Sequence, residues 1–484
     1  MLMDIMNFIT KMLWSSATPA LIIAVGVYFT IRTRFVQVRR IKDMCGLIYK
    51  NSGKTKEGIS GLQSFMISVS GRVGVGNVAG VATAICFGGP GSIPWMCLTA
   101  IIGGATSFIE CTLSQIYKIR FGNKEFRGGT CYYIEKGIGL RWLAIIFAVC
   151  AFAGECFGFH LPNIKTIVTS VDMTLGIKPL IPTIFIAITF ALLVFGGVKR
   201  IGTFSDKAVP FMSFVYITMC LVVIVLNFSK IPGAIALMLN CAFNPKSFLG
   251  GMLGTAVSWG VKRGLYSNEA GQGSATVSAG ASDVEHPAQE GFTQSLAVYF
   301  DTLLICLIGA VTIIVTESYN VVDPLGNMVV AHVPDLEYGV SYVQNGITNT
   351  IGGIGSYIMT ICVLFFCFTS IVAMHYYGEV NLVYIFKKHT KQAAIAARLM
   401  SVFAIFVGGL YYSEFAWGMA DVALGIMTFI NLPIIFILGR NALAALKDYE
   451  EQKKAGVTKF TFDPEKLGIK GTEPNLWKEL SNRD

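Results

Sequence analysis

Runs of about 20 predominantly apolar residues, the length that carries a helix across the hydrocarbon core of a bilayer, recur from residue 16 to residue 440. Charged or turn-rich loops separate them. The hydropathy pattern gives about eleven spans, centred near Ile23, Gly76, Ile101, Val149, Ile186, Ile217, Gly264, Leu304, Val363, Phe406 and Phe429. The fold class predicted is an all-α integral membrane protein, with no room for a soluble domain between spans. Residues 1–31 form an extra N-terminal transmembrane helix, 32–440 the core and 441–484 a polar tail to which the sequence attaches no function.

Loop charge orients these spans, because short cytoplasmic loops collect Lys and Arg. Arg32, Arg34, Arg39, Arg40, Lys42, Lys50, Lys54 and Lys56 follow the first span, and Lys118, Arg120, Lys124 and Arg127 follow the third. Lys199, Arg200 and Lys207, then Lys387, Lys388 and Lys391, mark later basic loops. The opposite loops hold scattered Lys165, Lys178, Lys230 and Lys246, and the longest, 317–350, carries Asp323, Asp335 and Glu337 with no Lys or Arg. The expected topology has the N-terminus outside and the C-terminus in the cytoplasm of a prokaryote, across its inner membrane. The basic residues follow the first apolar run, whereas a secretory signal places them before it.

Composition narrows the function classes. Charged residues make up 14% of the chain, against about 25% in soluble proteins. The formal charge of +9 resides largely in loops, which fits membrane orientation and gives no nucleic-acid face. The 12 cysteines fall mostly inside apolar runs, and Cys362 and Cys367 lack a second pair, so they read as packing rather than a zinc site. Five dispersed histidines, at 160, 286, 332, 375 and 389, form no metal cluster pattern. The glycines of VGVGN follow no strand and open no βαβ unit, which excludes a dinucleotide loop.

Two spans are interrupted. The first reads SFMISVSGRVGVGNVAGVATAICFGGPG, with Gly71, Gly74, Gly76 and Gly80 around Asn77. The second reads GMLGTAVSWGVKRGLYSNEAGQGSATVSAG, with Gly260, Gly264, Gly271 and Gly273 around Asn268, Glu269 and Gln272. Unwound backbone at membrane depth survives only where protein or a watery cavity satisfies its N–H and C=O groups. The half-helix ends it creates attract an anion at free N–H groups and a cation at free carbonyls. Close packing through small residues also explains Gly76 and Gly80, but not the polar cluster 268–273. The breaks fall in the second and seventh spans, the separation produced by two five-helix inverted repeats, about 58–228 and 246–440, behind one extra helix.

The motifs GRVGVGNVAGVATAICFGGPG, GVKRGLYSNEAGQGSA and HYYGE, with GGVKRI at 196–201 and VPFM at 209–212, resemble the alanine or glycine:cation symporter family, whose members have a LeuT-like fold. The resemblance spans about 32–440. It implies no enzyme and no cofactor, but sodium-coupled uptake of a small neutral amino acid such as alanine, glycine or glutamine by alternating access. On matching positions, Gly74, Val75, Gly76 and Asn77 meet the substrate, facing Ala270, Gly271, Gln272 and Gly273. Gly71, Arg72, Val73 and Gly74, with Thr369 and Ser370 of FFCFTSIVAMHYYGE, form the cation site, sodium being the only metal implied. Back-bonding to their own helix is the competing role for Thr369 and Ser370. Oligomeric state is not indicated.

Two positions depart from the commonest family pattern. Val75 replaces a threonine, and just upstream stands Arg72, an arginine in which the chain resembles the family's glutamine-carrying branch. Intramembrane Arg costs about 2.5 to 3.5 kcal/mol unless paired or wet, and three roles are open to Arg72. It can pair with Glu110 or Glu269, snorkel to the cytoplasmic opening, or approach the sodium position. In GFHLPNIKTI, Asn163 can touch substrate or accompany a kink at Pro162. Glu110, Glu269 and Asp301 are the coupling candidates; Glu155 and Asp421 read as capping or pairing groups, and a proton is the alternative coupling ion.

Overall fold

The computed structural model describes residues 2–482 except 16, 52, 54, 56, 123–124, 245–251 and 411–412. Lys54, Lys56, Lys124 and Lys246 of the loop-charge pattern lie outside the described residues. The chain is helical through its apolar runs, and all eleven predicted centres fall on helices. Among the described residues, eight helices are long and apolar enough to span a bilayer, or nine when the bent pair Gly61–Arg72 and Gly76–Gly88 counts as one. Leu180–Val194 and Phe228–Phe243 are shorter apolar helices. Leu253–Asn268 is not apolar along its length because it carries Lys262 and Arg263, both buried against Asp421, with Lys262 Nζ 2.6 Å from its carboxylate.

The first broken helix starts on a capping box, in which Gln63 N–H donates to Ser60 Oγ and Ser60 N–H donates back to the Gln63 amide oxygen. It loses helical geometry at Val73, turns by 48° and resumes through a π-helical turn, Gly76–Gly80, into Val81–Gly88. The second runs Leu253–Asn268, unwinds and resumes as Thr276–Ala281. Glu269, Gly271 and Gly273 have φ of 56°, 93° and 88°, and this left-handed stretch is where the glycines are needed.

A parallel bridge ties the two where the first begins and the second ends: Ile59 N–H donates to Ala281 O at 3.1 Å and Asp283 N–H to Ile59 O at 2.9 Å. They therefore run in opposite directions. Ser92–Ile116 packs on both the second broken helix and Pro287–Tyr299, while Gly353–Ile385 packs against the first broken helix, His160–Leu175 and Thr390–Leu410. The 317–350 loop is itself built, with a short hairpin, Asn320–Val322 on Met328–Ala331, and a helix, Val340–Ile351.

The polar tail is ordered against the body of the protein. Ser413–Lys454 runs on beyond residue 440, and the chain then folds back. Phe460 stacks on Tyr449 at 4.4 Å, and Phe462 meets buried Trp477 at 5.1 Å. Lys118 Nζ lies 4.8 Å from the Trp477 ring centroid and 4.4 Å from that of Phe126. Ion pairs Lys136–Glu473 at 2.7 Å and Arg120–Glu479 at 2.8 Å fasten the far end.

Candidate functional site

The first break is held open by side chains that replace its lost helical hydrogen bonds. Gly74 N–H donates to Asn77 Oδ1 at 2.9 Å, and Val75 N–H donates to Asn163 Oδ1 at 3.1 Å. Asn163 reaches the break because its own Nδ2 is fixed on Phe159 O at 2.8 Å. Its side chain thus braces the unwound segment, a role the sequence reading, which offered substrate contact or a kink at Pro162, did not name.

Asn77 differs from the expectation that its side chain meets substrate. Its Nδ2 donates to Asp301 Oδ1 at 2.7 Å, and its Oδ1 is taken by Gly74. Asp301 also accepts from Ser267 Oγ at 2.8 Å and Thr302 Oγ1 at 2.7 Å. The amide is spent within the protein, because an unwound turn in a buried setting needs donors and acceptors of its own.

Ser370 Oγ donates to Gly71 O at 3.1 Å, closing the gap between the first break and Gly353–Ile385. A Cβ placed on Gly74 would lie 2.6 Å from Ser370 Cβ, so glycine is what allows this approach. Thr369 instead back-bonds to Phe366 O at 3.1 Å, the competing role open to both residues.

Arg72 is buried and turns away from solvent, so it does not snorkel. Its Nε donates to Asn268 O at 2.7 Å, and Nη1 to Ser68 Oγ at 2.6 Å and Gln294 Oε1 at 3.1 Å. Expected pairing with a carboxylate is replaced by neutral partners. Asn268 O sits at the C-terminal end of Leu253–Asn268, where the helix dipole and unsatisfied carbonyls favour a cation. The guanidinium thus joins the two broken helices and occupies one negative pole, whereas the sequence reading set Arg72 among the groups of the cation site.

The second break faces elsewhere than predicted. Glu110 accepts Gly271 N–H at 3.0 Å and Asn431 Nδ2 at 2.8 Å, and Asn431 Nδ2 also donates to Gly271 O at 3.0 Å. Thr130 Oγ1 donates to Gly273 O at 2.9 Å. Ala270 packs with Ala100 and Val298. The stretch Ala270, Gly271, Gln272 and Gly273 is therefore turned largely toward Ser92–Ile116 and the final long helix. The residues that approach the first break are Tyr266, Ser267, Asn268 and Glu269: Glu269 Oε1 lies 3.1 Å from where a Gly71 Cβ would stand, and Ser267 Cα 3.2 Å from that of Gly76.

Free hydrogen-bonding capacity remains among these buried groups. Glu269 Oε1, Asn268 Nδ2, Gln272 Nε2 and Tyr266 Oη have no partner among the described residues. Tyr266 packs edge-on with Phe159 at 5.6 Å, beside Gly76. A cavity of about 50 Å³ lies beyond the first broken helix, lined by Thr83, Lys165, Glu337, Ser341 and Trp417 among others. Among the described residues no group of three or more His, Cys, Asp or Glu could hold a metal, which leaves hydroxyl and carbonyl oxygens for a cation, ligands that a hard cation accepts.

Asn431 and Tyr133 escaped the sequence reading. Tyr133 Oη donates to Asn431 Oδ1, so the two extend the bracing of the second break. The signal available was one asparagine within the apolar run TFINLPII, since polar side chains at membrane depth need a reason.

Two antiparallel broken helices packed together near their breaks, braced by buried acids and amides, define a secondary transporter of LeuT-like fold. The solved structure of MhsT in complex with L-phenylalanine shares that fold, covering 88% of this chain and 96% of its own with a TM-score of 0.50 at 14% identity. The sequence model of the sodium:alanine symporter family matches residues 1–463. The chain belongs to this family, and is a multi-pass membrane transporter rather than an enzyme. A sodium/proton-dependent alanine carrier protein from Bacillus sp. (strain PS3) is 38% identical over 430 residues, 87% of this chain and 95% of that protein. The sodium/alanine symporter AgcS of Methanococcus maripaludis is 31% identical over 457 residues, 93% and 98% of the respective chains.

Proposed function

We propose that this protein carries a small neutral amino acid, alanine, glycine or glutamine, into a prokaryotic cell with sodium, across the cytoplasmic membrane. The N-terminus lies outside and the C-terminal tail in the cytoplasm, and two inverted repeats, about 58–228 and 246–440, follow the helix of residues 1–31. The contact between Ser370 Oγ and Gly71 O carries this reading. It brings a hydroxyl and a helix-end carbonyl together at a glycine-only approach, the oxygen donor set and dipole end that bind a cation at a broken helix.

In this reading Gly71, Val73 and Gly74 carbonyls and Ser370 Oγ ligate sodium, with Thr369 joining after a rotamer change that frees it from Phe366 O. The substrate lies beside Gly74, Val75 and Gly76, against Asn163, Tyr266 and Glu269, with Gln272 as a further contact. Asn77, Glu110 and Asp301 hold the two breaks in shape. Arg72 supplies the positive charge between the broken helices. Lipid is the solvent, and no further cofactor is required.

Reconstituted full-length protein should accumulate labelled alanine when sodium is imposed outside, and competition by unlabelled glycine and glutamine ranks the substrates. Uptake indifferent to the sodium gradient would overturn the reading.

A further inference from the structure

Glu155 stands apart from the other buried acids. It lies in a π-helical turn, Gly154–Gly158, between Arg141–Ala153 and His160–Leu175, and its exposure is 0%. Neither carboxylate oxygen has a hydrogen-bond partner among the described residues. By contrast Glu110, Glu269, Glu290, Asp301 and Asp421 each accept at least one hydrogen bond or ion pair.

Among the described residues, the groups around it supply no neutralising cation. On Gly353–Ile385, which packs against the turn, His375 contacts Cys156 and pairs with Glu379, and Tyr377 and Glu379 are the other titratable groups nearby. On Thr390–Leu410, Arg398 is committed to Glu379 at 3.1 Å. On Ser413–Lys454, Asp421 is committed to Lys262 and Arg263. His160, on Glu155's own helix, has neither ring nitrogen partnered among the described residues and packs against Phe190. Glu269 of the second break is within electrostatic reach and adds like charge.

A buried carboxylate with neither a counter-charge nor donors is strongly disfavoured relative to its protonated form. The turn also sits where helices converge: a Cβ on Gly378 would collide with Cys156 Sγ, and one on Gly158 would meet Met419 O at 3.4 Å. π-helical turns inside α-helices are frequent at functional sites, since the extra residue re-aims a side chain. We propose that Glu155 is a proton-binding site of the transport cycle: it holds a proton while buried as it is here and releases it when helix movement exposes it to water. The step makes and breaks one O–H bond, with water on either side as source and sink. Rotation of Gly353–Ile385, which also carries Ser370, would couple this proton to the cation. The proposal rests on the symport reading above.

The test uses full-length protein in liposomes enclosing a pH-sensitive dye, with sodium-driven alanine uptake followed in parallel. Wild type should show an alanine-dependent internal pH change. E155Q, which keeps shape but cannot titrate, should lose at least nine-tenths of that change per alanine moved or bound, and E155D should restore it at a shifted pH midpoint. Equal proton movement per alanine in wild type and E155Q, or none in wild type, overturns the proposal. Absence of sodium-driven uptake in wild type would instead overturn the symport reading. Where E155Q is not recovered folded, infrared titration of E155D decides: a protonated-carboxyl band displaced from wild type supports the site, and an unchanged band overturns it.

Discussion

Ser370 and Gly71 lie 299 positions apart in the chain, yet the serine hydroxyl donates to the glycine carbonyl at 3.1 Å. Replacing Ser370 by Ala removes the hydroxyl proposed above as a sodium ligand while leaving the helix intact. The sodium concentration for half-maximal uptake should rise about tenfold, the equivalent of one lost polar interaction. Thr369→Ala should raise it less, because that hydroxyl is turned to Phe366 O. Initial uptake rates across a sodium series check both.

Asn77 links Gly74 N–H to Asp301. Asn77→Ala leaves a buried donor and part of a buried carboxylate unpartnered, a loss of about 1–3 kcal/mol for each group. Asn77→Asp should be worse at neutral pH, since it sets a second carboxylate where Asp301 now receives an N–H. Thermal unfolding in detergent should rank wild type above Ala and Ala above Asp.

Gly271 and Gly273 carry φ of 93° and 88°. A Cβ on Gly271 would also lie 2.8 Å from Leu432 Cδ2, and one on Gly273 would collide with Thr130 Oγ1. Each Ala substitution should cost about 1–3 kcal/mol from backbone strain alone. Gly233 and Gly254 are suitable controls, because nothing lies within 4 Å of a Cβ there. Folded yield and melting temperature separate the two pairs.

His286 couples the tail to the membrane body. Its Nδ1 accepts Ala288 N–H at 3.1 Å, which leaves Nε2 to donate to Asp448 Oδ2 at 3.2 Å. Burial holds the ring below its ordinary value of 6.5, outweighing Asp448. The docked state thus prefers neutral histidine, and docking is fully favourable above about pH 7 and weakens as pH falls below the ordinary histidine range. Proteolysis of the tail should accelerate between about pH 7 and pH 5, and His286→Gln should flatten that dependence.

Trp477 is the tail's apolar anchor, buried beside Lys118 and Phe462. Trp477→Ala should remove about 3–5 kcal/mol of local stability. Faster hydrogen exchange over 456–482, with the spans unchanged, is the expected readout.

The sequence by itself determined the all-helical membrane class, the two breaks and the family. A bilayer demands long apolar runs and closed backbone hydrogen bonding, so the eleven centres fell on helices and the glycine clusters on the breaks. What faces what was decided only by tertiary structure. Ala270, Gly271 and Gly273 turned toward Glu110, Asn431 and Thr130 instead of the first break, Arg72 found neutral partners, and Thr369 and Ser370 parted company. These outcomes depend on rotation about helix axes and on partners hundreds of residues away, which local periodicity does not encode. Burial makes the same distinction among the acids: composition marks them all as costly, and only packing left Glu155 without a donor among the described residues.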